Sequence, residues 1–214
     1  MRPVAGLVPL ACVVWLGPVF ATEPVISSPA DAIREAKVAG EAKDRSRVER
    51  ILRAAHERWP DDLPVQSYLG AVLFSTGRMD ESHPLLDRVC RGGGHEGACA
   101  VSVGIDLVRN RWERAFATAS GFSETSCQRS DRLWTMKLLA SSSLRAKEVA
   151  ERLVQAAPGD ETSYLFLAAA QWQQGDFGSA SATIKLGKAR STKVILLNEP
   201  IGWARGKGSA QSLR

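Results

Sequence analysis

The residues with the most chemistry to offer lie in one short stretch, CRGGGHEGAC, which brings Cys90, His95 and Cys99 together, with His83 shortly upstream. Two thiolates and two imidazoles are ligand types that zinc sites use, but their spacing matches no zinc signature. In an oxidising compartment the same spacing invites a Cys90–Cys99 disulfide. That bond is the expectation; a metal is the alternative, and no cofactor is expected. Closing so short a loop is worth about 2–3 kcal/mol on the chain-entropy view. The fate of Cys127 is left open, and Cys12 lies in the apolar run at the N-terminus.

Nucleophilic and hydrolytic chemistry finds little support. The histidines are His56, His83 and His95, and no Gly-x-Ser-x-Gly elbow, His-Glu-x-x-His motif, phosphate-cradling glycine loop or haem attachment site occurs. The acidic pairs Asp61-Asp62 and Asp160-Glu161 stand where helices are expected to begin, and there a carboxylate favours the helix dipole. The sequence therefore points away from an enzyme.

The elements that would carry these residues are helical. The 214 residues are 44% hydrophobic and 24% charged, with 7% aromatics and abundant alanine, which suits an all-α domain. Residues 1–21 stand apart: Arg2 is followed by an uncharged run from Val4 to Phe20, with Val19 and Ala21 as small residues before Thr22. This reads as a secretory signal peptide. An uncleaved anchor and a lipoprotein signal at Cys12 are the alternatives, although Pro9 and Gly17-Pro18 suit neither, and the run barely reaches the length a span needs. A periplasmic or secreted protein is expected, membrane-anchored if the segment stays. Residues 22–28 form a linker.

From Lys185 onward seven basic residues face Glu199 alone, so the net charge of +5 is concentrated at the C-terminus. Lys188, Arg190, Lys193, Arg205 and Lys207 make up a basic tail for an acidic protein face or an anionic envelope surface. A solvated end is the plain alternative, and nucleic acid is not an expected partner of an exported chain.

The stretch YLFLAAAQWQQGDFGSASATIKLGKA, Tyr164 to Ala189, repeats small residues at helical spacing on both sides of a Gly175-Asp176 break. It resembles a tetratricopeptide repeat, whose 34-residue period sets bulky and small residues at fixed places of two packed helices. Tyr164, Leu167, Ala168, Gly175, Ala180, Ile184 and Gly187 fall on those places. A second unit runs from Leu63, with Leu69, Gly70, Leu73, Gly77, Ser82, Leu86 and Val89; Pro84 implies a kink there, unless the second helix starts as late as Ser82. A first unit fits from Pro29, with Lys43 in place of the turn glycine. The middle is more degenerate: NRWERA reads as a turn and helix opening, TASGFSETSC as a longer loop, and residues 129–158 as two more helices. The stretch from Leu86 to Gly104 also resembles a cysteine-containing Sel1-like repeat, in which such cysteine pairs staple neighbouring units.

These resemblances imply a right-handed solenoid of about five helical hairpins over residues 29–190, followed by a capping segment and basic tail over 191–214. They imply a scaffold or assembly factor of the bacterial cell envelope that binds an envelope protein in its concave groove. Carried over residue by residue, the groove anchors are Phe74, Ile105, Arg109, Leu165 and Trp172. The alternative for each is packing against a neighbouring helix of the same chain. The apolar run Val194 to Leu197 and Trp203 either caps the last hairpin or docks on a partner. The rival functions are a structural subunit of a larger envelope complex and a protein that binds or processes wall polymer.

Overall fold

The computed structural model describes residues 26–93, 95–123, 127 and 129–205. The signal-peptide and most of the linker assignments, and Lys207 of the basic tail, lie outside the described residues.

The described chain is all-helical, and its helices pair in sequence as five hairpins. These are α1 (Pro29–Glu41) with α2 (Arg45–Arg58), α3 (Leu63–Ser75) with α4 (Met79–Gly93), α5 (Glu96–Val108) with α6 (Trp112–Ser120), α7 (Asp131–Ala140) with α8 (Arg145–Ala156), and α9 (Glu161–Gln173) with α10 (Phe177–Arg190). Each helix packs on the next along the chain, so the hairpins stack as a solenoid. A 3-10 turn (Leu196–Asn198) and a short helix, α11 (Gly202–Arg205), come after the last hairpin. No helix among the described residues is long and apolar enough to cross a membrane.

The hairpins share one turn. A single residue with positive φ closes each: Lys43, Gly77, Asn110, Ser142 and Gly175, at intervals of 34, 33, 32 and 33 residues. At every one the same two backbone bonds form. Gly77 N–H donates to Phe74 O and Arg78 N–H to Leu73 O; Ser142 N–H donates to Leu139 O and Ser143 N–H to Leu138 O. This double bond pattern satisfies carbonyls that a helix end leaves bare. Two of the five turns use glycine, for which the left-handed region is unstrained.

Helix starts are capped by side chains. Ser28, Asp44, Asp62, Ser130, Asp160 and Asp176 each accept a hydrogen bond from a backbone N–H in the first turn, the ordinary role of these residue types. Helix α4 begins at Met79, well before Ser82, so Pro84 lies inside the helix, as expected. One local expectation is corrected: helix α6 runs to Ser120, so Thr118 to Ser120 are helical and not part of the loop.

Two main cores result. One is built from α1, α2 and α3, around Ala32, Leu52, Val65 and Leu69. The larger one joins hairpins three to five and the C-terminal segment, together with Met79 and Cys90 of α4. Leu86, Val89 and Ala98 form a small cluster between them, and Phe74 packs against both this cluster and the larger core. The first helices of hairpins three, four and five, namely α5, α7 and α9, all touch one another. The stack is thus curled tightly enough in its C-terminal half to close its inner side.

Candidate functional site

The closed inner side receives the end of the chain. After α10, Ser191 to Lys193 form a partly exposed link, and residues 194–203 then run as a strap over α5, α9 and α10. Four strap side chains are buried: Leu196, Leu197, Ile201 and Trp203. The expected capping segment therefore lies against its own chain, and it reaches back as far as the third hairpin.

Small residues make room for it. A Cβ on Gly104 of α5 would stand 2.8 Å from Leu196 Cδ1. A Cβ on Gly187 of α10 would stand 2.6 Å from Leu197 Cδ1 and 2.7 Å from Tyr164 Cβ. Gly187 thus serves two contacts, the approach of α10 to α9 that its sequence position implies, and the seat of the strap.

A carboxylate holds the strap's backbone. Glu161, at the first turn of α9 and only 6% exposed, accepts hydrogen bonds on Oε2 from Ile195 N–H (2.8 Å) and Leu197 N–H (3.2 Å). Burial pushes its carboxyl above the ordinary value, and the strap's backbone N–H groups offset only part of that. Its neighbour Asp160 behaves in the opposite way. Burial works against its charge, but the Thr162 and Ser163 hydroxyls and the Arg132 guanidinium outweigh it and hold the carboxyl below the ordinary range. Thr192 N–H adds a bond to Gly159 O at 3.0 Å.

The far end of the strap enters an aromatic cluster. Trp112 stacks on Trp172 with ring centroids 4.9 Å apart and planes at 17°, and Trp203 stands edge-on to both, at 5.1 and 5.9 Å. Phe116 and Phe177 flank the group. Buried indoles need acceptors. Trp203 Nε1 donates to Leu107 O at 2.8 Å and Trp112 Nε1 to Asn110 Oδ1 at 2.8 Å, whereas buried Trp172 Nε1 finds no acceptor among the described residues.

This arrangement relocates the residues expected to line an open groove. Ile105 and Leu165 are 0% exposed and Trp172 is 8% exposed, all within the larger core. The cause is the contact of α5 with α9 together with the strap lying over them, so these three do not present an open surface. Arg109 is partly exposed, pairs with Asp80, and feels the charge of Glu199 on the strap. Phe74 is half-buried against the cores already described. In the basic group, Lys188 and Arg190 sit exposed in the last turn of α10, where the helix dipole favours cations, and Lys193 is exposed in the link. Arg205 ends α11.

The sulfurs of Cys90 and Cys99 are bonded to each other, tying α4 to α5. His95 Nδ1 caps α5 by accepting from Ala98 N–H. Cys127 is buried in the larger core.

A second polar cluster, which no sequence motif announced, joins α4, α5 and α6. His83 Nε2 stands 3.1 Å from Asp106 Oδ1, Arg111 Nε 2.9 Å from the same oxygen, and Arg114 reaches both Asp106 and Asp87. His83, Asp87 and Asp106 are buried, as are Nε and Nη2 of Arg111, while the Arg111 and Arg114 side chains as a whole are partly exposed. The signal in the sequence is faint: His83 and Asp87, and Ser102 and Asp106, are pairs one helical turn apart.

Compared with known proteins, the chain matches no family model, no curated protein and no solved structure.

Proposed function

We propose that the chain is an exported scaffold of the bacterial cell envelope that holds a partner protein, with hairpins of the tetratricopeptide-repeat kind, and that it is not an enzyme. One observation carries the reading. The inner side of hairpins three to five forms a seat for an extended apolar segment, with two glycines that admit leucines, a carboxylate that takes backbone N–H groups, and an aromatic cluster. A solenoid with such a seat is suited to gripping a peptide by side-chain pockets and backbone bonds together. The turn interval near 34 residues supports the repeat assignment, and the disulfide fits an oxidising compartment such as the periplasm.

The filled seat also favours a second reading, in which the chain is a structural subunit that meets a larger complex through its outer face and basic residues. In-cell crosslinking of the tagged full chain, followed by mass spectrometry, separates them. The scaffold reading expects crosslinks to one or a few envelope proteins at positions around the seat, such as the partly exposed Arg109. Crosslinks confined to α2, α8 and Lys188 would favour the structural subunit. Recovery of wall polymer alone would overturn both.

A further inference from the structure

The last hairpin is complete at Arg190, and the strap beyond it is built differently from the stack. Residues 194–203 include a proline and a single 3-10 turn, and few backbone bonds join them to the body. They are attached by buried side chains set at intervals, in the manner of a bound peptide. Their seat is not fully satisfied while they occupy it. Glu161 keeps a desolvated carboxylate under the strap, and Trp172 keeps an indole N–H without an acceptor. The Glu161 carboxyl regains hydration if the strap leaves, which offsets part of the cost of exposing the strap's apolar side chains. The link at 192–193 is exposed, and Thr192 holds it to the body through its bonds to Gly159 O.

We infer that residues 194–203 are a displaceable ligand held in cis, and that their seat accepts in exchange a segment of a partner protein patterned Leu-Leu-x-Glu-x-Ile-x-Trp. The inference rests on the scaffold reading and names the chemistry of its partner. The two leucines fill the notches over Gly104 and Gly187, the acidic residue faces Arg109, and the tryptophan stands edge-on to Trp112 and Trp172. Such a segment competes against the high effective concentration of a tethered ligand, so the intact chain binds weakly until the strap is loosened.

The test uses a fluorescein-labelled synthetic peptide of residues 192–203 and fluorescence anisotropy. It is titrated with the full chain and with a full-chain variant carrying Leu196→Ala, Leu197→Ala, Ile201→Ala and Trp203→Ala, whose seat residues are unchanged. The variant is expected to bind the peptide at least tenfold more tightly than the wild type. A peptide with Trp203→Ala is expected to lose at least tenfold. A helical variant that binds no better than wild type overturns the inference. Should the variant not fold, a protease site inserted between Thr192 and Lys193 of the otherwise wild-type chain allows the strap to be cut after folding. On dilution the cut strap is expected to exchange for labelled peptide with helical circular dichroism retained. Failure to exchange, or loss of helix in step with release, overturns it. Peptide exchange without cellular crosslinks would remove the scaffold reading alone; crosslinks without exchange would remove this inference alone.

Discussion

Asp160 and Glu161 are adjacent carboxylates with opposite environments. Asp160 caps α9 and is held charged by hydroxyls and Arg132, while Glu161 is buried under the strap and pushed toward its neutral form. A raised folded-state value means that the folded chain binds a proton more readily than the unfolded chain. The contribution of Glu161 is therefore most favourable below its ordinary value of 4.5 and is lost as pH rises through the raised one. The Glu161→Gln variant, whose amide oxygen can still accept both N–H groups, should gain stability relative to wild type as pH rises above 4.5 in urea unfolding. Glu161→Ala should cost about 2 kcal/mol by leaving two strap N–H groups without their acceptor. The capping role of Asp160 was legible in the sequence because a cap acts on its own first turn. The role of Glu161 was not, because its partners lie 34 and 36 residues away.

Each hairpin depends on a turn that the sequence displays only in part. Gly77 and Gly175 mark two of the five, but Lys43, Asn110 and Ser142 adopt the same positive φ without a glycine to signal it. The backbone bonds of the turn and the packing of its two helices hold these side chains in a conformation that costs about 1–2 kcal/mol for an L-residue. Replacing Ser142 by glycine should therefore stabilise the chain by about 0.5–1 kcal/mol, net of the extra freedom of glycine in the unfolded state, as a higher midpoint in thermal unfolding. Five hairpins were legible from helical spacing and caps even where the repeat pattern was faint. The end of α6 was not, since Thr118 and Ser120 are weak helix formers whose preference tertiary packing overrides.

At the scale of the molecule, the disulfide sits where the two halves meet. It joins α4 to α5, hence the second hairpin to the third, beside the small cluster of Leu86, Val89 and Ala98. Reduction should cost about 2–3 kcal/mol, measured as a shift in the urea midpoint with and without reductant. The cysteine pair was legible from its spacing, and so was the apolar character of the inner face. Its closure was not, because periodicity assigns residues to a face without saying how tightly the stack curls. Ile105, Leu165 and Trp172 were placed on the inner side, and the contact of α5 with α9 and the strap then buried them.

This inner face is filled by a segment of the same chain, inferred to be able to leave it, and native-state hydrogen exchange of the full chain tests both the docking and the release. The amides of Ile195 and Leu197 are expected to be protected, yet to open at lower free energy than those in the middle of α9. Exchange at the unprotected rate would mean that the strap is not docked. Exchange together with α9, only on global unfolding, would mean that it is core and not a ligand.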